Sequence, residues 1–142
     1  MIRRATLSDQ ATISRVHAEA RDGMAYLPRI PDDVRPTLGR RIMDWSEVWI
    51  AEAEDGTSGF VGLREDVVTH LYVEPAAQNR GLGSALLDHA KSLRPNRLEL
   101  WVFQKNDGAR RLYERLGFRL VRLTNGADNM EREPDALYEW RP

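Results

Sequence analysis

The sequence predicts a mixed α/β domain, and three observations predict it. Apolar residues alternate with period two in mid-chain and recur at i, i+3, i+4 spacing on either side of that region. Three strand-like runs, Glu47–Ala53, Gly59–Leu63 and Val67–Val73, are separated only by short breaks and so read as an antiparallel meander. The last of these strands leads into a polar glycine turn, Gln78–Ser84, which opens an amphipathic helix reaching to about Leu93. A chain of 142 residues suits a single domain over residues 1–142 with one sizeable core.

The elements follow in order. Ile2–Ala5 reads as a short strand. Thr6, Ser8 and Asp9 offer N-caps for a helix whose apolar face is Ile13, Val16, His17 and Ala20. His17 on that face reads as a partly buried structural histidine. Gly23, Pro28, Pro31 and Pro36 make residues 23–36 an irregular loop, and its Met24, Tyr26 and Leu27 either pack down as a lid or line a pocket. A short helix is expected from Thr37 to Asp44, and Asp55-Gly56 is a turn signal between the first two meander strands. Arg94-Pro95-Asn96 stops the helix after the glycine turn. Leu98–Phe103 is apolar on both faces and reads as a covered central strand. Ala109, Leu112, Tyr113 and Leu116 form the face of another helix, ended by a C′ glycine, Gly117. Phe118–Leu123 and Ala136–Trp140 are the last strands, with a polar loop, Asn125–Asp135, between them.

Composition narrows the function classes. Apolar content of 42% and charged content of 30% belong to a globular chain. A net charge of −1 rules out a globally basic nucleic-acid binder, so an anionic ligand must be held by a local site. The absence of cysteine excludes disulfides, thiolate metal sites and a cysteine nucleophile, and fits a reducing compartment. No apolar run approaches the ~18 residues of a membrane span, and the N-terminal residues lack the apolar core of a leader. The expectation is a cytoplasmic protein without a membrane or nucleic-acid partner. His17, His70 and His89 have no metal-ligand spacing, and no metal is expected.

The glycine turn carries the chemistry. The first N–H groups of a helix have no partner inside it, and the helix dipole places partial positive charge there. Gly81 and Gly83 let backbone and ligand approach closely; Ser84 adds a hydroxyl and Arg80 a charge. A phosphate or pyrophosphate would fit. No lysine follows the second glycine, so this is not a P-loop. A dinucleotide fingerprint would need a third glycine at Leu86.

At this point the residues resemble the GNAT superfamily of N-acetyltransferases. Leu71-Tyr72-Val73-x-Pro75 leading into Gln78-x-x-Gly81-x-Gly83 is similar to the family's acetyl-CoA signature. Asn106, Ala109, Tyr113 and Leu116-Gly117-Phe118 resemble its second block. The resemblance implies a single mixed, mostly antiparallel sheet with helices on both faces, the acyl-CoA N-acyltransferase fold. It implies that Gln78, Arg80, Gly81, Leu82, Gly83 and Ser84 hold the CoA pyrophosphate, mainly by backbone N–H groups from Arg80 to Ser84. Leu71, Tyr72 and Val73 would meet the acetyl carbonyl and pantetheine arm at a bulge, where their strand splays from Leu98–Phe103. Asn106 would contact the pantetheine or orient the thioester. Arg110 or Arg115 would either meet the 3′-phosphate or sit on a solvated helix face.

The implied reaction is direct attack of a primary amine on the thioester of acetyl-CoA, the co-substrate. Tyr113 would protonate the leaving thiolate; its ordinary pKa of ~10, above that of a thiol, is read as making donation downhill. Glu65, Asp66, His70, Glu99, Glu139 or a water chain are the candidates for the base. Asp32, Asp33, Asp128, Glu131, Glu133 and Asp135 make both flanking loops acidic and hint at a cationic acceptor, either a small amine or a peptide amine. The competing readings are a non-catalytic acyl-CoA-binding or regulatory module on the same fold and a different phospho-ligand binder. A homodimer through the C-terminal strands is a further expectation.

Overall fold

The computed structural model describes residues 1–78 and 80–142. Seven strands form one sheet: β1 (Ile2–Arg4), β2 (Glu47–Glu52), β3 (Ser58–Arg64), β4 (Val67–Val73), β5 (Leu98–Phe103), β6 (Arg119–Leu123) and β7 (Asp135–Trp140). Their order is β1-β2-β3-β4-β5-β7-β6. Every pairing is antiparallel except that of β4 with β5. The meander β2-β3-β4 read from the sequence is therefore present, and the parallel pair follows from the crossover through the helix after the glycine turn.

Four helices cover the sheet: α1 (Gln10–Asp22), α2 (Leu38–Trp45), α3 (Leu82–Leu93) and α4 (Asp107–Arg115). The strand alternation divides the core between the two faces. On one face Val48, Ile50 and Phe60 pack with Ile13, Val16 and Ile42 from α1 and α2. On the other, Ala51, Val61, Leu63, Val68, Leu98, Leu100 and Val102 pack with Leu86, Leu87, Ala90 and Tyr113 from α3 and α4. Helices thus lie on both faces, as the resemblance implies.

One expectation fails. Leu98–Phe103 was expected to be covered on both faces, yet Trp101 is 43% exposed. Leu98, Leu100 and Val102 face α3 and α4, but α1 and α2 lie over β2, β3 and β4. The opposite row of β5, β7 and β6 is only partly covered: Trp101 and Arg122 are exposed and Leu137 is half-buried.

Two features of the sheet position the site. The parallel register of β4 and β5 runs only through Val67↔Glu99 and Val68↔Leu100. Just beyond Val68, the register with β3 jumps from Leu63↔Val68 to Gly62↔His70, so Thr69 is an extra residue on β4. A bulge bends and twists its strand, and this one falls where β4 leaves β5. Gly62 makes room for it: a Cβ there would lie 2.7 Å from Thr69 Oγ1.

Candidate active site

The parting of β4 and β5 opens a cleft of about 660 Å³. Val68 to Tyr72 line one wall and Leu100 to Phe103 the other, with Asn106, Ala109 and Tyr113 from the α4 region. A second lobe of about 860 Å³ runs past Val73 to Gln78, Gly81, Gly83 and Ser84. Met24, Leu71, Tyr72, Asn106, Ala109 and Tyr113 line both lobes, which makes the space continuous. The structure thus brings the two sequence blocks together around one cleft.

The glycine turn sits at one end. Gly81 is the N-cap of α3 with φ +84°, a left-handed conformation that glycine adopts without a Cβ penalty. The helix starts there, with Ala85 N–H donating to the Gly81 carbonyl at 3.0 Å. The first-turn N–H groups of Leu82, Gly83 and Ser84 belong to the set that a helix cannot satisfy internally. The side chain of Gln78 donates back to the Val73 carbonyl at 3.4 Å. The side chains of Arg80 and Leu82 turn elsewhere: Arg80 donates to Asp55 at 2.5 Å, and Leu82 packs on the core. Neither residue lines the cleft, whereas Gln78, Gly81, Gly83 and Ser84 do. Asn79, part of the same predicted turn, lies outside the described residues.

Helix α4 fixes the middle of the cleft through both of its ends. Asn106 caps it, its Oδ1 accepting from Ala109 N–H at 3.2 Å. Asn106 lines the cleft, and among the described residues its amide NH₂ has no hydrogen-bond partner. At the other end Gly117 has φ +92°, Gly117 N–H donates to Glu114, and Phe118 N–H donates to the Tyr113 carbonyl at 2.9 Å. This is a Schellman cap, and its usual apolar contact is the Tyr113–Phe118 ring pair, 5.9 Å between centroids. Tyr113 is therefore held by backbone and ring at once. Among the described residues nothing hydrogen-bonds its hydroxyl, and burial pushes its pKa up.

That shift bears on its expected role. A proton passes spontaneously to the group of higher pKa, so a phenol above a thiol keeps its proton. Donation to a well-solvated thiolate is uphill, against the downhill expectation, and burial of Tyr113 widens the gap. What the site offers is a hydroxyl that stays protonated at every working pH. It can donate a hydrogen bond to sulfur as charge develops there, in a cleft where a thiolate is also poorly solvated.

Of the candidate bases, only His70 lines the cleft. Glu99 and Glu139 are engaged with Arg97, Asp66 lies 3.8 Å from Arg97, and Glu65 is exposed at a positive-φ turn. His70 Nδ1 is 3.0 Å from Thr69 Oγ1, which is 2.7 Å from Ser46 Oγ. This hydroxyl pair orients the ring through Nδ1, a link no sequence spacing announces, and among the described residues Nε2 has no hydrogen-bond partner. Burial lowers the His70 pKa to about 4, so the imidazole is neutral near pH 7. His17 packs against it and against Tyr72, with centroids 5.8 and 4.6 Å away. It is buried as the sequence suggests, and burial brings its pKa to about 3, with small contributions from His70 and Arg21. Tyr72 is pushed up to about 12, chiefly by burial.

Charge is distributed unevenly along the cleft. Arg111 and Arg115 line the glycine-turn lobe, whereas Arg110 faces away and donates to Tyr138 Oη at 3.0 Å. Arg110, one of the two arginines the resemblance offers for the 3′-phosphate, thus points away from the glycine-turn lobe, and the apolar face of α4 gives no sign of Arg111. Asp128, Glu131 and Asp135 line the other lobe, with Arg122. Asp135 is occupied by Thr124 and Asn129, and Glu131 lies 3.9 Å from Arg21. Asp32, from the other acidic loop, is spent on Arg29 at the surface. Met24 and Tyr26 line the space, as the proline-rich loop suggested. Among the described residues no group of three or more His, Asp or Glu side chains is arranged to hold a metal, and no helix is long and apolar enough to cross a membrane.

Known proteins share this architecture. The apo form of YjaB from Escherichia coli superposes with a TM-score of 0.79 at 22% identity, over 99% of this chain and 96% of that one. yncA from Salmonella typhimurium, solved with its cofactor acetyl-CoA, gives 0.72 at 21% identity, over 99% and 92%. In sequence, the peptidyl-lysine N-acetyltransferase YiaC of Escherichia coli is 35% identical over 74 residues, 51% of this chain and 50% of that protein. The mycothiol acetyltransferase of Kineococcus radiotolerans is 39% identical over 94 residues, 61% of this chain and 31% of that protein. The chain thus matches about half the length of the first relative and about a third of the second. The acetyltransferase (GNAT) domain profile matches residues 44–120, more than half of the chain, including β4, the glycine turn, β5 and α4. This protein belongs to the GNAT family of acetyltransferase domains.

Proposed function

We propose that this domain transfers an acetyl group from acetyl-CoA to a primary amine by direct attack. The observation that carries the reading is the single cleft joining the α3 N-terminus, the free edge of β4 and the Tyr113 hydroxyl. The residues fit the donor by chemistry. The first turn of α3 suits the pyrophosphate, with Gln78 and Ser84 beside it and Arg111 and Arg115 as a cationic collar. Leu71, Val73, Ala109 and Leu112 give an apolar trough for a pantetheine arm. Bound acetyl-CoA supplies the activated acyl group.

The remaining work falls to side and main chains. Beyond Val68 the β4 edge facing β5 is unpaired, and its N–H groups between Leu71 and Val73 are the donors for a carbonyl oxygen that gains charge. Asn106 directs its amide into the middle of the cleft and orients the thioester. Tyr113 donates to the departing sulfur. The amine must be neutral to attack, although a free alkylamine near pKa ~10 is mostly protonated at pH 7. His70 Nε2 takes up its proton as the N–C bond forms, when that proton becomes far more acidic. Alignment of the amine with the thioester supplies much of the rate.

Peptidyl-lysine among the substrates named for the relatives supports an amine acceptor, as does the acidic lobe formed by Asp128 and Glu131. We read the setting as cytoplasmic, in keeping with a cysteine-free chain, and β6, an edge strand with Leu120, Val121 and Leu123 exposed, as the place where a homodimer would form. Thiol release from acetyl-CoA across a panel of amines tests the reading. Amine-dependent release supports it. Tight acetyl-CoA binding with no release on any amine would make the domain a binding module instead.

A further inference from the structure

The acceptor lobe carries opposite charges from different elements. Asp128 and Glu131 come from the loop after β6, while Arg122 comes from β6 itself. Arg122 is exposed and lies over the Trp101 ring, 5.4 Å from its centroid. Among the described residues no carboxylate lies within 4 Å of its guanidinium, although this chain pairs most of its arginines. A guanidinium held over an aromatic ring keeps its N–H donors available and loses less freedom on binding an anion.

The surroundings add direction. Trp101, Leu137 and Arg122 stand side by side in one row across β5, β7 and β6. This is the sheet face that α1 and α2 leave uncovered, and it continues out of the cleft because Trp101 and Arg122 line both. A small amine held between Asp128 and Glu131 makes no use of this row.

Resting on the acetyltransferase reading above, we infer that Arg122 is a specificity residue that reads an anionic side chain on a peptide acceptor. The reactive amine enters between Asp128 and Glu131, and the flanking segment lies along Trp101, Leu137 and Arg122. An acidic residue near the amine then meets the Arg122 guanidinium. A polyamine lacks the anion, and a basic flank would be repelled.

The test uses two peptides that are identical except for Glu or Gln beside the reactive lysine, with free lysine as a third acceptor. KM and kcat are measured for each with the wild type, Arg122→Gln and Arg122→Lys. In the wild type the Glu peptide has a KM about fivefold below the Gln peptide, with similar kcat, as expected of an ion pair at a partly exposed site. In Arg122→Gln that ratio falls to about one, and Arg122→Lys restores part of it. Comparing ratios within one variant cancels any general effect of the substitution. Equal KM values in the wild type, a ratio that persists in Arg122→Gln, or free lysine outperforming both peptides would each overturn the inference. Calorimetric binding of the same peptides to the CoA-loaded protein reads the preference without turnover. A Glu preference there, abolished by Arg122→Gln, upholds the role of Arg122 even if no acetyl is transferred, and its absence refutes it.

Discussion

Val68 on β4 and Leu100 on β5 are the last residues at which these two parallel strands stay in register. One residue later the Thr69 bulge turns β4 away, and the space that opens is the cleft. The location of the proposed chemistry follows from this pair: an unpaired strand edge on one wall, Tyr113 and Asn106 at the middle, and a helix N-terminus at the far end. Each of the following outcomes tests one part of that arrangement.

Tyr113→Phe removes only a hydroxyl. The ring packing on Phe118 and the cap of α4 stay in place. Turnover should fall about 10- to 100-fold, the size expected for losing one hydrogen bond to a group that gains charge. Affinity for acetyl-CoA should change less than about twofold. Steady-state kinetics beside calorimetric titration separate the two, and unchanged turnover would remove Tyr113 from the mechanism.

The pH dependence of activity has a definite form. His70 has a pKa of about 4, so it is already neutral at pH 5 and above. The acceptor amine, near ~10, is the group that titrates. kcat/KM should therefore rise steadily from pH 6 to 9 with no step near pH 6.5. A step at the ordinary histidine pKa would show that His70 is solvated and not held by Thr69.

Stability should respond to pH in the opposite range. His17 and His70 have folded pKa values of about 3 and 4, below the ~6.5 of an unfolded histidine. Between those values the unfolded chain binds more protons than the folded one, so stability is full above about pH 7 and is lost as pH falls toward 4. The loss between pH 7 and 5 should be on the order of 1–2 kcal/mol for each histidine. Urea midpoints at the two pH values measure it. His17→Leu should flatten the slope, because the buried imidazole is gone.

Much of this was legible in the sequence. The meander, the strand–turn–helix unit and the α4 face are local patterns of period and punctuation, and Gly81 and Gly117 mark left-handed positions that other residues resist. Long-range placement was not. The two faces of Leu98–Phe103 read alike because Trp101 and Phe103 are as apolar as Leu100 and Val102, and only the position of α1 and α2 separates them. Helical periodicity could not tell which of Arg110, Arg111 and Arg115 faces the cleft. The Thr69–Ser46 contact that orients His70 joins residues from different elements across a bulge, and no spacing encodes it. The uphill sign of proton donation from Tyr113, by contrast, was already available from ordinary pKa values.

Gly81→Ala tests the far end of the cleft. A Cβ at φ +84° costs about 1 kcal/mol whatever the space around it, and among the described residues no atom lies within 4 Å of it. The substitution should lower stability by about that amount and weaken acetyl-CoA binding, since relief of the strain re-aims the first turn of α3. Chemical denaturation and calorimetry on the same sample read both. Full affinity together with the stability loss would mean that the turn does not hold the ligand.

The most direct test of the cleft itself is amide hydrogen exchange with and without acetyl-CoA. The structure predicts added protection at two separated stretches, Leu71–Val73 on the free edge of β4 and Leu82–Ser84 at the start of α3, with little change in β1 or β6. Protection at only one stretch, or at neither while acetyl-CoA binds, would contradict a single cleft running from the glycine turn to the parting of β4 and β5.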